Sequence, residues 1–111
     1  MEKIKLLVEK ESFTCCNIID VWVGSNCPAG GDSGHGGRTV FGIEDQGGTD
    51  LRISLNGEDP IDIESFEIIL GGDSECATFI DALKFALKNL ESRNVITQDK
   101  IGAETEVRFY E

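Results

Sequence analysis

Ser65-Phe-Glu-Ile-Ile-Leu70 runs into Gly71-Gly-Asp-Ser74 and then into Glu75-Cys-Ala-Thr-Phe-Ile-Asp-Ala-Leu-Lys-Phe-Ala-Leu-Lys-Asn-Leu-Glu-Ser92. The first segment is the most apolar strand-like run of the chain, rich in β-branched residues that suit a pleated surface. The glycine pair stops it, and Asp73 or Ser74 can cap the first amide groups of a helix. Cys76, Ile80, Leu83, Leu87 and Leu90 then recur at helical spacing, and Phe79, Ala82 and Ala86 widen the apolar face. The pattern predicts a helix from Glu75 to about Ser92, ended by Asn94, whose apolar face packs across one face of a sheet.

The remaining segments read as strands of that sheet. Lys3 to Lys10 alternates, with Ile4, Leu6 and Val8 on one face, and Glu11-Ser-Phe-Thr14 breaks the pattern. Asn17 to Val23 is β-branched and aromatic; its alternation groups Ile19, Val21 and Val23 opposite Ile18, Asp20 and Trp22. The sequence leaves open whether Trp22 lies in the core or faces a partner. Thr39 to Glu44 is a third strand. After the turn Asp45-Gln-Gly-Gly-Thr49, Leu51 to Leu55 is expected to return beside it, with Leu51, Ile53 and Leu55 inward, and Asn56-Gly57 is a turn dipeptide. Val95 to Ala103 is ambiguous, and Glu104 to Tyr110 alternates as a last strand. The expected fold is α+β: a curved antiparallel sheet of five to six strands, with one main C-terminal helix packed on it, in a single domain over 1–111.

Composition narrows the function classes. The net charge is −11, from 21 acidic and 10 basic residues. Nucleic-acid affinity rests on neutralising many phosphates, and the basic residues form no stripe, so DNA or RNA polymers are poor partners. A small anion needs only local donors. No run approaches a membrane span, and the charged first ten residues do not read as a signal peptide, so the expected location is the cytoplasm. The four cysteines, Cys15, Cys16, Cys27 and Cys76, form no Cys-x-x-Cys pair. They read as reduced thiols, with Cys16 or Cys76 in the core, and no metal or cofactor is expected.

The connection between the second and third strands carries the chemistry. Gly24-Ser-Asn-Cys-Pro-Ala-Gly-Gly-Asp-Ser-Gly-His-Gly-Gly-Arg-Thr39 is far longer than a hairpin turn and holds five glycines between Gly30 and Gly37. It includes the single histidine, His35, and Arg38. It is neither a P-loop nor a dinucleotide-binding turn, because a strand follows it. A nest of amides around Gly34, Gly36 and Gly37 suits phosphate, with Arg38 as a forked clamp and His35 as a donor or stacking ring. Asp32 either accepts from a ribose hydroxyl or braces the loop. Trp22, and Arg108 beside Phe109 and Tyr110, are further candidates for lining a nucleotide pocket. A flexible surface loop with a merely solvated His35 is the plain alternative. Hydrolysis through Ser33 and His35, or Cys27 and His35, has few supporting groups.

The loop Ser25-Asn-Cys-Pro-Ala-Gly-Gly-Asp-Ser-Gly-His-Gly-Gly-Arg-Thr39 resembles the signature of the first Thoeris anti-defence family of phages. These small proteins sequester cyclic ADP-ribose isomers made by bacterial TIR-domain immune enzymes. The resemblance implies a sponge, not an enzyme: a nucleotide signal is bound tightly and left intact in the cytoplasm of an infected host. It also implies a homo-oligomer, a dimer or dimer-based hexamer, with some members binding cyclic oligonucleotides at separate sites. The motif supplies His35, Arg38 and the glycines around them, Gly31, Gly36 and Gly37, as ligand contacts; Asp32, Thr39, Trp22 and Arg108 are further candidate contacts that come from the residues alone. Two other readings are a small hydrolase of such signals using His35, and an acidic inhibitor of a protein partner.

Overall fold

In the computed structural model the described residues are 3–28, 33–92 and 107–110. Four strands form an antiparallel sheet: β1 (Val8–Phe13), β2 (Ile18–Ser25), β3 (Arg38–Gly47) and β6 (Ser65–Gly71), in the order β1-β2-β3-β6. Two short strands, β4 (Arg52–Ile53) and β5 (Ile61–Asp62), pair as a separate small sheet, and α1 (Asp73–Glu91) follows β6. The class is α+β, as the sequence predicts.

Three elements differ from their sequence expectation. β1 begins at Val8 and runs through Phe13, where Lys3 to Lys10 was expected. Pairing decides this: Val8 sits opposite Gly24 and Phe13 opposite Ile19, across the tight connection at Thr14-Cys-Cys-Asn17. Alternation in residues 3–7 has no such partner strand. Leu51 to Leu55 does not return beside β3, because β6 occupies that edge from Arg38↔Gly71 to Glu44↔Ser65. The Leu51–Leu55 segment instead contributes β4, whose hairpin with β5 has its turn at Asn56 (φ 53°) and Gly57 (φ 75°). Two successive positive φ values are what a type I′ turn demands of this dipeptide. Residues 107–110, expected as the end of a last strand, belong to none, and Val107, Phe109 and Tyr110 are exposed. Val95 to Ala103 and Glu104 to Glu106 lie outside the described residues.

Register assigns the two faces of the four-stranded sheet, since paired positions share a face. One face is mainly apolar, carrying Phe13, Val21, Val23, Phe41, Ile43, Phe66 and Ile68, with Glu9 and Glu11 at its β1 edge. The other is organised around a row that crosses all four strands: Lys10, Trp22, Gly42 and Glu67. The Trp22 indole lies over Gly42, where any Cβ would overlap the ring. Its Nε1–H donates to Glu67 Oε2 at 2.7 Å, and the Lys10 ammonium stands 6.0 Å from the ring centroid. The next row is centred on buried Asp20, which accepts from the Ser12 hydroxyl and, at 3.0 Å, from the Gln46 amide, with the Lys10 ammonium 3.4 Å away.

The chain divides into two compact units, Met1–Thr78 and Phe79–Glu111, and α1 passes from one to the other. Beyond Phe79 its stripe of Ile80, Leu83, Leu87 and Leu90 is exposed in the single chain. Among the described residues, Cys76 alone of the hydrophobic side chains is buried, at 6% exposure. Cys16, the other candidate for the core, is exposed. No helix among the described residues is long and apolar enough to cross a membrane.

Two measurements check this architecture. Gly42→Ala drives a methyl into the Trp22 ring and should cost about 1–3 kcal/mol of stability, read by urea unfolding on the fluorescence of the single tryptophan. The Ser12 hydroxyl, followed by Lys10 and Gln46, holds the Asp20 carboxyl below its ordinary value of 3.8 despite the opposing effect of burial. A carboxyl more acidic in the folded than in the unfolded chain stabilises above the unfolded value, and that contribution is lost as pH falls through the folded one. Thermal unfolding of Asp20→Asn should therefore depend less on pH below 3.8 than that of the parent chain; an unchanged acid dependence contradicts the assignment.

Candidate functional site

The β2–β3 ladder ends at the rung Ser25↔Thr39, whose hydroxyls hydrogen-bond at 2.9 Å. One residue further, Asn26 replaces strand pairing with a side-chain clasp. Its backbone N–H donates to Arg38 O (3.2 Å), its Oδ1 accepts from Arg38 N–H (2.8 Å), and its Nδ2 donates to Gly36 O (2.8 Å). A loop whose ends are drawn together in this way is closed at its neck rather than hung between two strands. Asn26 belongs to the loop motif, where the sequence alone assigns it no role. The signal was an amide-bearing side chain at the last residue before the glycine loop, able to donate and accept at once.

The far side of the neck rests on the start of α1. Gly37 O accepts from Gly72 N–H at 2.8 Å and from Arg38 Nη1 at 2.7 Å. A Cβ on Gly37 would stand 2.7 Å from Asp73 Oδ1 and 3.3 Å from the Gly72 carbonyl carbon, so only glycine permits this approach without a shift. Gly72 itself has φ +125°, a region that L side chains rarely adopt. The first α-helical hydrogen bond runs from Cys76 N–H to Gly72 O (3.2 Å), which makes Gly72 the N-cap in place of the expected Asp73 or Ser74. The Asp73 carboxylate faces the loop instead.

Around this neck the predicted residues separate. Gly36, Gly37 and Arg38 are brought together at the neck, Gly37 against the start of α1, and His35 is exposed on the short 3₁₀ turn Ser33–His35 that precedes them. Thr39 is 4% exposed with its hydroxyl shared with Ser25, so it braces the loop root and is not presented to a ligand. Trp22 is three residues before Ser25 on β2, roughly 10 Å along the strand, and is engaged by Gly42 and Glu67. Gly31 and Asp32 lie outside the described residues. Arg108 is exposed in the segment 107–110 of the second unit.

The arrangement offers two kinds of chemistry side by side. A guanidinium, an imidazole and glycine-flanked amides can donate to phosphate oxygens. The Asp73 carboxylate, one residue from the Gly72 cap, can accept from hydroxyl groups. Beneath the neck, Ser25 Oγ also contacts Cys76 Sγ (3.5 Å) and accepts from Cys27 N–H (3.1 Å). Among the described residues no cluster of three or more His, Cys, Asp or Glu side chains is placed to hold a metal ion. Comparison with protein-family models, with curated proteins and with solved structures gives no match.

Asn26→Ala removes both side-chain bonds and should cost about 1–3 kcal/mol in urea unfolding. It should also accelerate hydrogen exchange of the Arg38 amide, whereas Asn26→Asp, which retains the acceptor, should protect that amide better than alanine does. Equal exchange in the parent and Asn26→Ala would rule out the clasp.

Proposed function

We propose that this chain is a sponge for a small cyclic nucleotide, binding a cyclic ADP-ribose isomer and holding it uncleaved, as in the phage anti-defence family that its loop resembles. The observation that carries the reading is the closed neck. Asn26 and the Gly37–Gly72 bond fix a glycine-rich loop in which Gly37, with Arg38 next to it and His35 two residues before it, lies against the acceptor Asp73. A cyclic ADP-ribose isomer carries both pyrophosphate oxygens and ribose hydroxyls, and therefore needs donors and acceptors within one site. Pre-ordering the loop lowers the entropy lost on binding, the condition for tight retention.

In this reading His35, Gly36 and Arg38 contact the ligand, with buried Gly37 setting their position and Gly31 and Asp32 completing the loop, and no residue is assigned a catalytic role. Cyclic oligonucleotides are a second ligand class. The protein works as a homo-oligomer, a dimer or an assembly of dimers, in the cytoplasm of an infected host. The exposed stripe Ile80, Leu83, Leu87 and Leu90 supports assembly, because so much apolar surface on a chain of 111 residues calls for cover by a second copy.

Native mass spectrometry of the protein mixed with cyclic ADP-ribose isomers, followed by heat release of the bound molecule, tests this. The expected result is an oligomer that retains ligand of unchanged mass. Arg38→Ala should weaken binding roughly 10- to 100-fold, the loss expected for a hydrogen bond to a charged group. A cleaved product would move the case to a hydrolase that uses His35. Absence of binding to any isomer or cyclic oligonucleotide would overturn the proposal.

A further inference from the structure

We propose that Cys76 and Cys27 are a peroxide-reactive thiol pair at the root of the glycine loop, Cys76 taking the oxygen and Cys27 closing a disulfide onto it. Ser25 holds the two together: its hydroxyl oxygen lies 3.5 Å from Cys76 Sγ and accepts from Cys27 N–H at 3.1 Å. Cys27 Sγ lies 3.9 Å from the Asp73 carbonyl oxygen, in the same first turn of α1 that carries Cys76. Both thiols belong to the unit Met1–Thr78, so the pair is built within one compact body.

Their environments differ in the way that such chemistry needs. The Cys76 thiol is held below its ordinary value, first by the Ser25 hydroxyl 3.5 Å away and then by Thr39, against burial and the Asp73 charge. Cys27 is pushed up, first by Cys76 and then by desolvation and the same Asp73 charge. The first proton to leave is therefore that of Cys76. Thiolate, not thiol, is the form that attacks an oxidant. Cys76 is buried, at 6% exposure, while Cys27 is exposed.

The Cys76 thiolate attacks one peroxide oxygen. The O–O bond breaks, sulfur loses two electrons to become a sulfenic acid, and hydroxide leaves. Cys27 sulfur then attacks Cys76 Sγ. The S–S bond forms, the S–O bond breaks, and the oxygen departs as water with the protons of the pair. In sum, two thiols and one hydrogen peroxide give a disulfide and two waters. The product ties the first residue of the loop covalently to the start of α1. It does not depend on the ligand reading above.

The exposed pair Cys15 and Cys16, with sulfurs 3.9 Å apart at the β1–β2 turn, serves as an internal comparison. The reduced full chain is treated with stoichiometric hydrogen peroxide, alkylated with N-ethylmaleimide, digested and mapped by mass spectrometry. The expected product is a cross-linked Cys27–Cys76 peptide. In Cys27→Ser, dimedone should trap a sulfenic acid at Cys76; in Cys76→Ser, Cys27 should acquire little dimedone in the same time. The proposal fails if oxidation is confined to Cys15 and Cys16 while Cys27 and Cys76 remain alkylated. It fails equally if Cys27 in Cys76→Ser is labelled as fast as Cys76 in Cys27→Ser. The wild-type map decides even if either variant folds poorly.

Discussion

The clasp made by Asn26 is the constraint on which the loop depends. Antiparallel pairing of β2 and β3 stops at Ser25↔Thr39, and the next carbonyl and amide, those of Gly36 and Arg38, would otherwise turn to solvent. A single carboxamide satisfies both, the oxygen taking Arg38 N–H and the nitrogen giving to Gly36 O. The long connection thereby has its ends fixed, and the ordering cost falls on the residues between them. Gly37 then lies against Gly72, so the loop and the start of α1 meet at one place.

The sheet beneath performs a separate task on each face. On the polar face Trp22, Lys10 and Glu67 share one cross-strand row, with Gly42 left bare to receive the ring. That row and the neighbouring Asp20 network use a good part of the polar side chains available to β1 and β2, which explains why Trp22 is a structural anchor and not a wall of the loop. The apolar face and the exposed stripe of α1 leave hydrophobic surface on the single chain, consistent with the proposed assembly.

What the sequence made legible follows from what repeats. The period of Cys76, Ile80, Leu83 and Leu87 revealed α1, and strand-like runs revealed β2, β3 and β6, because these are local signals. β1 was displaced since alternation over Lys3–Lys10 says nothing about which residues find a partner, whereas pairing with β2 does. The departure of Leu51–Leu55 to its own hairpin has the same cause. The glycine loop, with His35 and Arg38, was evident from its length and composition. Asn26 was not, because its role exists only once β2 and β3 lie side by side. Gly72 was passed over for Asp73 and Ser74 because capping preference favours oxygen-bearing side chains, yet the backbone there requires a positive φ.

The most direct measurement is a ¹H–¹⁵N titration of the labelled protein with a cyclic ADP-ribose isomer. The account predicts that the largest shifts fall on the amides of Gly36, Gly37, Arg38 and Gly72 and on the Asn26 carboxamide, with the ligand recovered intact. Shifts confined to the Trp22 face or to the β4–β5 hairpin, or no shifts at all, would contradict it.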